Sequence, residues 1–135
     1  MIRPATLLAA VMFTSPVQGL FRKTVEEVGL GGVRIPAGAR PILMYGSANR
    51  DEGHFVDAER MEPRRRNARE HFAFGGGIHY CLGAPLARLE AKVAFETVLG
   101  RLHNLRLAPG ANDFTHTPSF TLRGLRALHI EFDAA

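Results

Sequence analysis

Cys81 is the only cysteine among 135 residues, and it stands in the run Phe74-Gly75-Gly76-Gly77-Ile78-His79-Tyr80-Cys81-Leu82-Gly83. Its side chain could serve as a nucleophile or, as a thiolate, as a metal ligand. Ala84-Pro85-Leu86-Ala87-Arg88 follows at once and opens an apolar-periodic segment, which places the cysteine at the mouth of a predicted helix. Backbone N–H groups and the positive dipole end at such a mouth favour a thiolate. A phosphate cradle over Gly75 to Gly77 is weakly supported, because no Gly-x-x-x-x-Gly-Lys-Ser/Thr is present and Tyr80 stands where a third glycine is needed. A zinc site needs three or four ligands, and His71 and His79 give no recognised spacing. A cysteine nucleophile would have His79 nearby as base but no orienting third group. The ordinary fate of a lone cysteine is a small buried hydrophobe.

The elements that must position this loop are legible from periodicity. Residues 5 to 13 form a helix-compatible apolar run that stops at Thr14-Ser15-Pro16. It resembles a signal-peptide core, but its flanks and the lack of a cleavage site argue against one, and it is too short to span a bilayer. Val33-Arg34-Ile35 and Pro41-Ile42-Leu43-Met44-Tyr45 read, with the stretch from Val17 to Val28, as a small antiparallel sheet. Ser47 is a candidate cap for a short helix. His54 to His71 lose periodicity and gather Arg60, Arg64, Arg65, Arg66 and Arg69 into a long irregular segment. The longest helix is predicted from Pro85 to Leu102, with Leu82, Leu86, Leu89 and Val93 on one face and Arg88, Lys92 and Glu96 as a solvent-facing stripe. Pro85 suits its first turn. Leu105 to Leu107 and Leu128 to Phe132 alternate as β-strands, the last of them half-buried.

Composition bounds the chain as one globular domain with enough residues for a core: 46% are hydrophobic and 22% charged, with a net charge of +4. The single cysteine fits a reducing compartment, and the expected setting is cytoplasmic, with no membrane segment. No aromatic residues interleave the arginines, so nucleic-acid stacking is not expected.

Phe74-Gly75-x-Gly77-x-His79-x-Cys81-x-Gly83 closely resembles the haem-thiolate signature of the cytochrome P-450 family, soluble bacterial type. The likeness runs from Ser15 onward. Ser15 to Arg22 is similar to the stretch after the family's K helix, Ala48-Asn49-Arg50-Asp51 to the helix after its sheet, the arginine-rich segment to its meander, and the helix from Pro85 to its L helix. The implied fold is α+β, the C-terminal part of the mainly α P-450 fold. In that reading residues 1–14 are a divergent K-helix remnant, 15–46 a sheet, 47–73 a short helix and meander, 74–83 the ligand loop, 84–102 the L-type helix and 103–135 a C-terminal β region with a hairpin.

The resemblance implies haem b as cofactor, with Cys81 as axial iron ligand. It implies haem contacts from Arg22, Ala73, Phe74, Gly75, His79, Leu82, Gly83 and Ala87, with Arg22 and His79 on the propionates. It implies substrate contacts from Val17, Leu20, Thr121 and Leu122. It further implies monooxygenase chemistry on a small organic substrate, a ferredoxin or flavoprotein electron donor meeting the basic meander and Arg88, and a meander arginine at Arg60. Two departures limit this. The family's Glu-x-x-Arg falls at Ala9 and Met12, which leaves Arg60 without its partners, and the likeness covers about a C-terminal third of the family, without the oxygen-activating helix. The competing expectation is a truncated, non-catalytic product that at most associates with haem.

Overall fold

The computed structural model describes residues 4–134; the first three residues of the predicted K-helix remnant lie outside them. Helix α1 (Pro4–Thr14) ends because Ser15 takes a left-handed φ of +40° and Pro16 has no N–H to continue the ladder. The chain then forms two separate antiparallel pairs, correcting the single sheet read from sequence. Strand β1 (Leu20–Phe21) pairs with β4 (Ile42–Leu43), and β2 (Val28–Leu30) with β3 (Val33–Ile35). Gly19 lets β1 lie close to its partner, since a Cβ there would stand 2.8 Å from the Leu43 carbonyl oxygen.

The apolar run at 41–45 yields only two strand residues. Tyr45 turns inward, is buried, and begins α2 (Tyr45–Ala48), so Ser47 lies inside that helix rather than capping it. The meander is irregular except for a 3₁₀ turn at Ala68–Glu70. Arg65 knots it: its guanidinium donates to the carbonyls of Val56, Asp57 and Arg60. A second 3₁₀ turn, Gly77–His79, sits inside the glycine loop. Helix α3 (Ala84–Arg101) follows, with Pro85 in its first turn. It runs directly into β5 (Leu102–Leu107), which pairs antiparallel with β6 (Ile130–Ala134) across an irregularity where Asn104 has φ +49°. Between them a hairpin folds back on the segment after α1. Gln18 N–H donates to Thr121 O (2.7 Å) and Arg123 N–H to Pro16 O (2.8 Å), while Val17 and Leu122 pair as a bridge.

The core is small. Met12, Phe55 and Ala58 form one buried cluster, so Met12, where the resemblance implies an arginine, makes an apolar contact to the meander. The chain exposes 10073 Å², against about 7000 Å² expected for a compact monomer of this mass. The excess overturns the expectation of an ordinary core. It also blurs the predicted faces of α3: Leu86, Leu89 and Val93 are more than half exposed, whereas of the expected solvent-facing stripe Lys92 is exposed but Arg88 and Glu96 are partly buried. Leu128, Ile130 and Phe132 are likewise exposed rather than half-buried. Helical and strand periodicity report one apolar face correctly, but whether that face is covered depends on what packs on it.

Candidate functional site

The loop before α3 is held by its own backbone. Phe72 O accepts from Gly75 N–H (2.8 Å), Phe74 O from Cys81 N–H (2.9 Å), Gly77 O from Tyr80 N–H (3.1 Å) and Cys81 O from Ala84 N–H (3.2 Å). Gly75 (φ +71°) and Gly77 (φ +60°) sit in the left-handed region that lets the chain turn this tightly. At Gly75 the turn is also sterically closed, because a Cβ there would lie 3.3 Å from His79 O and 3.6 Å from Tyr45 Oη. The Cys81 side chain is exposed. Its Sγ lies beside Gly83, where a Cβ would be 3.9 Å away. Among the described residues neither Leu82 N–H nor Gly83 N–H is taken up by a protein acceptor, which leaves donors next to the sulfur at the start of the helix.

Cys81 opens onto a cleft of about 1160 Å³, somewhat above the usual range of small-molecule and cofactor sites. Of the haem residues implied by the sequence, Ala73, Phe74, Gly75, His79, Cys81 and Ala87 line it, as do Val17 and Leu20 of the substrate set. Arg22 stands one residue behind the wall: its Nη2 donates to Tyr45 Oη at 3.4 Å, and Tyr45 lines the cleft. Leu82, 98% exposed, and Gly83 flank the sulfur without lining the cavity. Thr121 and Leu122 also lie outside it but pair with the Gln18 and Val17 backbone at its edge, and Phe120 stacks on Phe21 at 6.3 Å. Val17, Leu20, Ala73, Phe74 and Ala87 give the cleft an apolar wall beside the accessible sulfur, and Arg65, Arg66, Arg69, Arg88 and Lys92 bring positive charge to the rest of its lining, so the residues present fit a flat, iron-bearing macrocycle with anionic substituents. No cluster of three or more His, Cys, Asp and Glu that could hold a bare metal ion occurs among the described residues.

Several residues were missed by the sequence reading. Tyr45, taken as the end of a strand, is a cleft wall. Arg88, taken as surface, stacks its guanidinium over the Phe74 ring at 4.5 Å and donates to Tyr80 Oη at 2.8 Å. His71 is buried beside Phe74, and its Nδ1 accepts from Ala73 N–H (3.1 Å). Burial, then the nearby Arg88 charge, lowers its pKa below the ordinary 6.5. Arg60 is exposed, as its missing partners predict, and Arg50 makes the inter-element link instead: it pairs with Glu59 (2.7 Å) and donates to Phe13 O at the end of α1 (3.0 Å). A charged donor opposite an acidic residue in an i, i+9 loop carries no periodic signal that would have revealed it.

The cytochrome P450 family model matches residues 13–123. The chain belongs to the cytochrome P450 family. It is similar to cytochrome P450 107B1 of Saccharopolyspora erythraea, 41% identical over 128 residues, which covers 94% of this chain and 31% of that protein. It is 37% identical over 130 residues to the 6-deoxyerythronolide B hydroxylase of the same organism, with 96% and 32% covered. Among solved structures, substrate-free cytochrome P450 CYP150A6 of Mycobacterium marinum superposes with a TM-score of 0.93 at 35% identity, covering 98% of this chain and 34% of that one. The chain thus spans about a third of the length of the P450s it matches, and its architecture is part of the P450 fold. Cytochrome P450s are haem-thiolate iron monooxygenases. No helix among the described residues is long and apolar enough to cross a membrane.

Proposed function

We propose that this chain supplies the thiolate-bearing face of a haem-dependent P450 monooxygenase, in which Cys81 Sγ would hold the iron of haem b. The observation that carries the reading is the exposed Cys81 sulfur opening, beside free backbone donors, onto a cleft lined by the glycine loop and α3. When bound through a thiolate, haem supplies the electron push that favours O–O cleavage and oxygen insertion into an organic substrate.

The chain's own residues do the rest. Unpaired N–H groups after Cys81 are placed to donate to the sulfur and so tune the electron density it gives to iron. Ala73, Phe74, Gly75 and Ala87 would form the apolar floor under the macrocycle, with Leu82 and Gly83 beside the sulfur. Arg22, oriented by Tyr45, and His79 would hold the anionic propionates. Val17, Leu20, Thr121 and Leu122 border a small organic substrate.

A ferredoxin or flavoprotein donor would meet the exposed Arg64, with Arg66 and Arg69 beside it at the rim of the cleft. Arg65 and Arg88 are withdrawn from that surface by the bonds described above. A thiol that must stay reduced to bind iron suits a cytoplasmic setting.

The test is the spectrum of haem-reconstituted protein, reduced under carbon monoxide. A thiolate-type red-shifted Soret band is expected in the wild type and its loss in Cys81→Ser; identical spectra would overturn the ligand assignment. The large exposed surface of this chain favours a second reading, haem association without turnover. Substrate-dependent oxygen consumption with an added donor would refute that reading.

A further inference from the structure

We propose that Asn49 is the positioning residue of the Cys81 loop, fixing the loop's base in register against the end of α1. Only the spectroscopic consequence of this role rests on the haem reading above. Asn49 and Ser15 are each 1% exposed, and they are the most deeply buried polar side chains among the described residues. A buried carboxamide must find partners for its acceptor and its donors. Asn49 Oδ1 accepts from Phe72 N–H at 2.7 Å, and its Nδ2 donates to Ser15 Oγ at 2.9 Å. The Ser15 hydroxyl donates in turn to Met12 O at 2.8 Å, in the last turn of α1.

Beyond Phe72 the chain of bonds continues into the site. Phe72 O accepts from Gly75 N–H, and Phe74 O accepts from the N–H of Cys81 itself. Asn49 therefore joins three segments that are distant in sequence, and the loop that presents the sulfur hangs from it. The apolar cluster of Met12, Phe55 and Ala58 fastens α1 to the meander, not to this loop. On the loop side the stacking of Tyr45 on Phe72, at 6.5 Å and 12° between planes, is a nonpolar contact that admits sliding. A paired carboxamide does not, because any shift leaves buried polar groups unpaired.

The experiment measures amide hydrogen exchange by NMR in the full chain, for wild type, Asn49→Ser, Asn49→Asp and Ser15→Ala. Serine is too short to reach the Phe72 N–H, so exchange at Phe72, Gly75 and Cys81 should accelerate about tenfold or more. Amides in the middle of α3, such as that of Val93, should stay within about twofold. Asn49→Asp keeps the acceptor and should restore most of the protection. Ser15→Ala keeps the Phe72 bond but cuts the tie from Asn49 to α1, and should accelerate exchange at Phe72, Gly75 and Cys81 severalfold, less than Asn49→Ser. Unchanged exchange at Gly75 and Cys81 in Asn49→Ser overturns the proposal. So does equal acceleration in α3, which would make Asn49 a residue of general stability. Should Asn49→Ser fail to fold, Ser15→Ala decides, because unchanged exchange there at Gly75 and Cys81 would also overturn it. In haem-loaded protein under carbon monoxide, Asn49→Ser should shift intensity from the thiolate band to that of a neutral thiol about tenfold, with recovery in Asn49→Asp. An unchanged band overturns the proposal, whereas absence of the band from the wild type refutes the haem reading and leaves the exchange pattern to decide on Asn49.

Discussion

Adding one methyl group at each of three glycines separates the forces that shape the Cys81 loop. Gly75→Ala places a Cβ on a residue with φ +71°, within 3.3 Å of His79 O, which is backbone and cannot swing away. The left-handed conformation costs a β-carbon roughly 1–2 kcal/mol, and the overpacking adds about 1–2 kcal/mol more. Gly77→Ala meets the same conformational penalty at φ +60°, but no atom lies within 4 Å of its Cβ, so about 1–2 kcal/mol is expected in all. Gly100→Ala, inside α3 with open space around it, should stabilise the chain by about 0.5–1 kcal/mol. Urea unfolding followed by far-UV circular dichroism, at constant slope, reads the three differences. Haem affinity should follow the same order, because a tenfold change corresponds to about 1.4 kcal/mol. A loss at Gly77 equal to or larger than that at Gly75 would refute the steric argument. Losses at all three sites would refute the conformational one.

Acidification should weaken the fold through His71. Its folded pKa lies below the ordinary 6.5, so in the interval beneath 6.5 the unfolded chain binds more protons than the folded one, and stability falls as pH is lowered through that interval. His71→Gln should flatten this part of the stability-versus-pH curve, measured by urea midpoints at stepped pH. Arg65→Ala should lower stability by about 1–3 kcal/mol, because three carbonyls lose a charged donor. Arg64→Ala, on the exposed side of the meander, should stay within about 0.5 kcal/mol. Equal effects of the two arginine variants in thermal denaturation would remove the distinction drawn between them.

The Cys81 loop was readable because its determinants are local. Glycine spacing, the position of the thiol and a proline in the first helical turn all act within about a dozen residues, and a spacing pattern records them directly. The same locality made the family and the extent of α3 legible. Read as a strand, Tyr45 fitted its apolar neighbours; folded, it turns inward because Phe72 and Arg22 arrive from elsewhere in the chain to meet it. Read as a surface stripe, Arg88 fitted its i, i+4 neighbours; folded, the Phe74 face draws it inward, while Leu86 and Leu89 are left exposed. Periodicity fixes which residues share a face but not what covers that face. The tie through Asn49, between residues 34 and 23 positions away, left no periodic trace. By itself, then, the sequence determined where the thiol stands and the backbone that turns around it. The tertiary structure alone decided what holds that loop in place, because pairing between distant segments depends on where the chain brings them, not on their own residue spacing.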